Sequence, residues 1–384
     1  MGLENYQSEL DKLRKEIDEI DLKIVELLAQ RKDKIIKLAD VKSKLKLKIQ
    51  DQKREAQIIN NSEKKATEMG LDPDFINKIF SEIINYGRRI ESVKRGEVKK
   101  VAYLGPRGTF AEEAALLYTS KIEAEMIPMS TIASIISAVE NGHVDIGIVP
   151  IENSVEGTVT TTLDLLARSE AMICGEIVLP VIHNLISKEK ITLDKITKVY
   201  SHPQALAQCR TFLAKNLPQV YLSETNSTAE AVRKVAEEED TTIAAIGSSA
   251  AAKLYGMTVL VEGIQDEQTN ETRFAVISSK DSKPTGNDKT SIAIFLLQDR
   301  PGALCEVLEE FRDRNINLTR IESRPSKKIL GDYIFFVDLE GHKENPDVKE
   351  AIENISKKAG KVKIMGSFPS AKRKNKPPNC KATK

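Results

Sequence analysis

Between Leu10 and Leu45, apolar side chains recur every three or four residues (Leu10, Leu13, Ile17, Ile20, Ile24, Leu27, Ile35 with Leu38, Val41, Leu45), and no proline or glycine interrupts them. That spacing predicts a single helix of about ten turns. So long a helix outruns any small domain, and its stripe must be covered from elsewhere; pairing with a second copy is the expected solution. Arg31 falls inside the stripe, where an unpaired charge would be costly to bury, and is therefore a functional candidate. Two shorter helices are expected over 51–68 and 74–93, with Gly70-Leu71-Asp72-Pro73 as the break.

At 384 residues the chain exceeds what one hydrophobic core usually supports, so two or three domains are expected. The net charge is +1, but residues 369–384 hold six Lys or Arg and no acid, which leaves the body near −5. An acidic body argues against nucleic-acid binding, which needs a basic face. The sequence has neither an N-terminal apolar segment nor an apolar run of about 18 residues, so no membrane span or secretion is expected, and the cytoplasm follows. The tail is expected to be unfolded and solubilising. Cys174, Cys209, Cys305 and Cys380 show no CxxC spacing and the histidines no HExxH pair, so reduced thiols, no metal and no cofactor are expected.

From Val101 the pattern changes to short apolar strands, at 101–104, 146–150, 198–201 and 243–246, alternating with helices. This predicts an α/β architecture with ligands at loops beyond the strand ends. Residues 278–289, with Pro284-Thr285-Gly286-Asn287, read as a linker. Residues 290–368 read strand, helix, strand, strand, helix, strand, the ferredoxin-like order of an α+β domain. The expected domains are 1–95, 100–280 and 290–368, followed by the tail 369–384.

Four motifs follow one another in the α/β segment: Gly105-Pro106-Arg107-Gly108-Thr109-Phe110, then Pro150 to Gly157 around Asn153-Ser154, then Ser201 to Cys209, then Thr272-Arg273-Phe274. Each alone is ordinary loop punctuation. As an ordered set they resemble the prephenate dehydratases. The resemblance implies a two-lobed α/β domain like that of the periplasmic binding proteins, an essential hydroxyl on Thr272, and substrate contacts from Asn153, Ser154, Ser201, Gln208 and Arg273. In that reaction prephenate loses carbon dioxide and its ring hydroxyl and becomes aromatic. The catalyst must hydrogen-bond the departing hydroxyl, whereas a cation clamped on the departing carboxylate would only stabilise the ground state. A threonine is a poor acid alone, so Thr272 is read as a donor within a network. His202 is a candidate proton donor by chemistry, but it precedes Pro203 at a helix start, so a capping role competes. Glu152 and Glu156 could also serve as acids, but loop glutamates are usually solvated.

The helical segment resembles the all-α chorismate mutases. The match implies catalytic roles for Arg31, Lys42 and Glu91, and substrate binding by Arg14, Asp51, Arg54, Glu55 and Gly87. Chorismate is a dianion that rearranges without a nucleophile, so cations that hold it folded and donors at its ether oxygen suffice. Arg31 and Lys42 are spaced by about three helical turns and share a face; Arg14 does not, and is expected to serve the partner chain. Glu91 stands where many relatives carry Gln, and would assist as a neutral hydrogen-bond donor. The last domain looks like an ACT domain of the phenylalanine-sensing kind, which implies effector contacts at Gly302, Ala303 and Leu304 and at Glu322, Ser323, Arg324 and Pro325. The expectation is a homodimeric or larger enzyme taking chorismate and then prephenate, under phenylalanine control, with no nucleic-acid or membrane partner. Arogenate dehydratases share the motifs and are one alternative; a non-enzymatic amino-acid sensor is another.

Overall fold

The computed structural model describes residues 2–45, 47–49, 51–96, 98–120, 122–296, 300–325 and 333–371. The basic tail therefore lies outside the described residues from 372 onward. Contacts divide the chain into two compact units, residues 1–99 with 119–125, and residues 100–118 with 126–384.

The first unit is helical. Gly2–Lys44 forms one 43-residue helix, followed by Gln52–Glu68 and Pro73–Lys94. Asp51 caps the second by accepting the Arg54 N–H at 3.0 Å, and Asp72 caps the third with Pro73 at its first position. The third helix runs in the same direction as the first and packs on its C-terminal half. A Cβ at Gly87 would stand 2.8 Å from Ile35 Cδ1 and 3.3 Å from Arg31 Nη1, so glycine sets how closely the two helices approach. Leu13, Ile17, Ile20 and Leu27, on the N-terminal half of the stripe, are all more than half exposed in the single chain.

The second unit holds three sheets. In the first, the strands lie in the order Ala124–Met129, Lys99–Leu104, Ile146–Asn153, Glu271–Ser278, Met172–Pro180, with Gly157–Thr158 beside Ile146–Asn153. In the second the order is Thr258–Val261, Asn184–Ser187, Ile243–Gly247, Lys198–Ser201, Tyr221–Glu224. The chain enters the second lobe after Pro180 and returns before Glu271, so two connections join the lobes, as the two-lobed expectation requires.

The third sheet has the order Leu318–Pro325, Tyr333–Glu340, Asp288–Leu296, Gly360–Pro369, with helices Ala303–Arg312 and Pro346–Ala359, which is the ferredoxin-like arrangement. The stretch read as a linker is shorter than expected. Asp288 already belongs to the strand and accepts the Thr285 N–H at 2.8 Å and the Gly286 N–H at 3.0 Å, so its own side chain folds the turn before it. One face of this sheet buries Val307, Phe311, Val348 and Ile355 of its own helices. The other puts Ala293, Phe336, Met365 and Phe368 into a common core with Ile173, Ala275 and Ile277 of the first lobe. The C-terminal domain is thus built onto the α/β domain by burial of apolar area.

Backbones approach closely across that core at Gly366, φ +149°, where an added Cβ would lie 2.1 Å from Ile173 O. No shift of a side chain relieves a clash with backbone. Gly366→Ala is expected to lower the stability of this unit by about 1–3 kcal/mol, the usual cost of overpacking. Urea unfolding combined with amide exchange over 172–180 tests it; unchanged exchange there would show that the two strands do not meet at Gly366.

Candidate active sites

A cavity of about 380 Å³ opens between the two lobes of the α/β domain, walled by Thr109, Phe110, Asn153, Thr272 and Phe274 on one side and by His183, His202, Gln208 and Thr228 on the other. All four motifs contribute to it or to its frame. The Gly105–Phe110 turn is held from within: Thr109 Oγ1 donates to Leu104 O at 2.9 Å, and the Glu112 carboxylate accepts the Gly108 N–H at 2.6 Å and the Tyr103 hydroxyl at 2.8 Å. Gly108 has φ +86°, and a Cβ there would meet Ala251 Cβ of the other lobe at 3.2 Å. Glycine is needed here for both conformation and fit.

Thr272 and Asn153 sit opposite one another on neighbouring antiparallel strands. Asn153 Nδ2 lies 2.9 Å from Thr272 Oγ1 and 2.8 Å from Asn270 Oδ1. Asn153 Oδ1 accepts the N–H groups of Val155 and Glu156 at 3.0 and 2.9 Å, which fixes which end of the amide faces the threonine. Gln208 Oε1 in turn accepts from Asn270 Nδ2 at 3.1 Å and lies 2.9 Å from His183 Nε2.

Ser154 and Ser201 stand outside the cavity wall. Ser154 Oγ donates to Thr269 O at 3.1 Å and accepts the Glu271 N–H, tying down the strand that carries Thr272. Ser201, fully buried, donates to Ile246 O at 2.8 Å. His202 is the N-cap of Pro203–Gln208, its Nδ1 accepting the Gln204 N–H, so the capping alternative describes its geometry.

Arg273 requires a correction. Successive side chains of a strand point to opposite faces, so with Thr272 facing the cavity its neighbour faces the C-terminal sheet. Its Nε lies 3.0 Å from Glu152 Oε2, its Nη1 3.3 Å from Glu176 Oε2 and its Nη2 2.7 Å from Asp338 Oδ2. Asp338 is fully buried, and Arg320 Nε donates to the same Oδ2 at 3.0 Å while Ser291 donates to Oδ1. Burial alone would push the Asp338 carboxyl up; Arg320, Arg273 and the Ser291 bond outweigh it and hold it well below the usual carboxylate range. Arg273 loses hydration by burial, yet Asp338, Glu152 and Glu176 raise it above the ordinary guanidinium value.

In the helical unit, Arg31 lies against Gly87, and Lys42 against Glu91 one turn further along the third helix. Arg31 Nη1 donates to Ile83 O at 3.1 Å, and burial lowers its pKa. Lys42 Nζ reaches Ile49 O at 2.7 Å and Glu91 Oε2 at 3.2 Å, while Glu91 Oε1 takes Arg95 Nη2 at 3.3 Å. Both oxygens of Glu91 therefore accept bonds, the reverse of the donor role expected for it. A second cavity, of about 510 Å³, is lined by Lys42, Lys48, Asp51 and Lys53. Glu55 lies 3.7 Å from Arg88, Arg54 is exposed, and Arg14 is exposed beside Asp11, apart from this group.

On the C-terminal sheet, Gly302 has φ +86° and begins the helix Ala303–Arg312. Arg320, Glu322 and Arg324 share the face turned to the α/β domain. Glu322 Oε2 accepts the Thr158 hydroxyl at 3.2 Å, and Arg324 lies 3.6 Å from Asp164. Ser323 and Pro325 are exposed on the opposite face.

These features define an enzyme with two separate small-molecule sites, a cationic one among helices and a neutral, amide-lined one between α/β lobes, joined to a ferredoxin-like domain of the effector-binding type. Family models agree in order: chorismate mutase type II over 13–92, prephenate dehydratase over 101–282 and ACT domain over 291–357. The bifunctional chorismate mutase/prephenate dehydratase of Aquifex aeolicus is 44% identical over 366 residues, covering 94% of this chain and 98% of its own. The chain belongs to the bifunctional chorismate mutase/prephenate dehydratase family. Among solved structures, the prephenate dehydratase of Arthrobacter aurescens in complex with L-Phe is 35% identical with a TM-score of 0.65, over 71% of this chain and 90% of that one. GqqA, described as a novel type of quorum-quenching acylase, is 27% identical with a TM-score of 0.64 over 71% and 98%. The shared fold thus does not by itself specify the reaction, and the residues in the cleft must.

No described helix is long and apolar enough to cross a membrane. His183 on the cavity wall, and Asn270 in the hydrogen-bond network behind it, are residues that the motifs did not single out. The signal was present: Pro180-Val181-Ile182-His183-Asn184-Leu185 sets a histidine in an apolar run, where it has to be buried and bonded.

Removing one partner of the buried charge cluster leaves charge stranded. Asp338→Ala is expected to destabilise the second unit by about 3–5 kcal/mol. Because the folded carboxyl is depressed, its contribution is complete above the unfolded value of about 3.9 and is lost as pH falls below it. Acid unfolding of parent and variant should therefore converge at low pH; a constant gap down to the acid limit would contradict the assignment.

Proposed function

We propose that the helical unit rearranges chorismate to prephenate and that the α/β cleft converts prephenate to phenylpyruvate, with phenylalanine acting through the C-terminal domain. The observation that carries the second step is the Asn153 Nδ2 to Thr272 Oγ1 bond of 2.9 Å on the cavity wall. With an N–H already donated to its oxygen, the Thr272 hydroxyl is left to donate into the cavity. The bond between ring carbon and carboxylate breaks, its electron pair enters the ring, and the ring C–O bond breaks as hydroxide leaves. Thr272 stabilises the charge developing on that oxygen. Among the described residues lining the cavity there is no lysine or arginine, so the departing carboxylate meets no clamp that would hold it back. Gln208 and Asn153 contribute amide groups to the wall and orient substrate; Ser154 and Ser201 support the strands behind them.

For the mutase step, Arg31 and Lys42 bind the dianion from one face of the first helix, with Asp51, Arg54, Glu55 and Gly87 completing the pocket. Arg14 serves a second copy, since it lies far from the others on the same helix. The uncovered apolar half of that helix supports a dimer in which each chain lends Arg14 to its partner. Phenylalanine is read by the turn at Gly302, Ala303 and Leu304, where glycine allows close approach at a helix start. On the strand Leu318–Pro325 it is read by Ser323 and Pro325, which are exposed, next to Glu322 and Arg324, which touch the α/β domain.

The two reactions should separate by mutation. Thr272→Ala is expected to lower phenylpyruvate formation by about a hundredfold or more while mutase turnover persists. Lys42→Ala is expected to cut mutase kcat/KM by roughly ten- to a hundredfold while added prephenate is still consumed. The same assay, run on chorismate, prephenate and arogenate with product identification, settles the substrate; near-normal dehydration by Thr272→Ala would contradict the proposal.

A further inference from the structure

His183 has no part in the mechanism above, yet it is 3% exposed and lies on the cavity wall. Its backbone N–H donates to Gln265 Oε1 at 3.0 Å, and its ring packs edge-on against Phe110 with centroids 5.7 Å apart. Among the described residues Nδ1 is buried without a partner, so Nε2 makes the ring's one side-chain bond, to Gln208 Oε1 at 2.9 Å.

The direction of every bond in the chain that ends on this ring can be worked out from a fixed point. Two backbone N–H groups hold Asn153 Oδ1, so its Nδ2 must face Asn270 and Thr272. Asn270 then offers Oδ1 to Asn153 and has only its Nδ2 left for Gln208, 3.1 Å away. Gln208 must answer with Oε1, which leaves its Nε2 to donate to Glu156 Oε1 at 3.1 Å. Since Gln208 presents an acceptor to the ring, Nε2 of His183 must carry a hydrogen. Burial lowers the His183 pKa, and the Gln208 bond opposes the shift.

We infer that His183 is a positioning residue for the dehydration: its Nε2–H is the second donor to Gln208 Oε1 and holds that side chain in place against Asn270, whose Oδ1 receives the Asn153 amide that also bonds Thr272. Without that donor Gln208 Oε1 keeps only the Asn270 bond, the Gln208 side chain is held less firmly on the cavity wall, and the Asn270 to Asn153 contact beside Thr272 loosens with it. This inference rests on the dehydratase reading of the cleft.

His183→Phe keeps a ring against Phe110 and removes the donor, whereas His183→Gln restores an N–H near the position of Nε2. Losing a positioning hydrogen bond of ordinary strength should lower dehydratase kcat about tenfold in His183→Phe, with KM much less changed. His183→Gln should return to near the parent rate, and mutase turnover should match in all three proteins. In a Gln208→Ala background, His183→Phe should cost little more, because residues that act through one another are non-additive. Equal losses in both backgrounds, or a His183→Phe kcat equal to the parent's, overturn the inference. If His183→Phe does not fold, His183→Asn replaces it: its shorter amide does not reach Gln208 and should fail where His183→Gln succeeds, and equal rates for the two overturn the inference. A parent protein that forms no phenylpyruvate would instead sink the reading of the cleft itself.

Discussion

Asp338 is a carboxylate with no exposure, on the central part of the C-terminal sheet, and it is shared by Arg273 of the α/β domain and Arg320 of the strand that ends in Glu322-Ser323-Arg324-Pro325. Taking these charges out of water is expensive, and only close, multiply bonded geometry repays it. That requirement fixes the register in which the sheet docks on the first lobe. It works with the apolar core around Phe336 and Phe368, which supplies the driving force but less directional preference. Because Arg273 follows Thr272 directly, the strand alternation that turns one side chain into the cleft commits the other to this cluster. A displacement of Leu318–Pro325 relative to Asp338 would be felt one peptide unit from the Thr272 hydroxyl in the cleft.

The cleft relies on the opposite principle. Its wall is built of amides, hydroxyls and neutral rings, and each amide orientation follows from the next. Such a network gives directed donors without the fixed charge that would stabilise a departing carboxylate in the ground state. The helical site uses charge because its ligand has to be held folded, and there Lys42, Arg95 and Glu91 already satisfy one another in the single chain.

Much of this organisation was legible in the sequence. The uninterrupted stripe gave the 43-residue helix, and the alternation of strands and helices after residue 288 gave the ferredoxin-like order. The motifs marked Asn153, Gln208 and Thr272, which the fold brings to one cavity. Arg273 was misjudged because a motif groups neighbours that a strand separates; period two in that strand would have placed it on the other face. Residues 278–289 read as a linker because nothing local shows that Asp288 already belongs to a strand and folds the turn before it. His183 and Asn270 were not marked because their roles depend on partners far along the chain: the Asn153 to Thr272 bond alone spans 119 residues. Glu322 and Arg324 were legible as a motif, but their contacts with Thr158 and Asp164 were not.

Under the proposed function, Asp338 couples Leu318–Pro325, the strand proposed to read phenylalanine, to the strand that carries Thr272. The most direct measurement compares phenylalanine binding with phenylalanine inhibition in parent and Asp338→Asn, a substitution that keeps shape and removes the charge. Binding measured by calorimetry and inhibition measured on prephenate should come apart, with phenylalanine still bound but its effect on turnover reduced, because coupling requires a difference in free energy between two arrangements. If binding and inhibition both match the parent in a folded Asp338→Asn protein, the coupling does not run through this carboxylate.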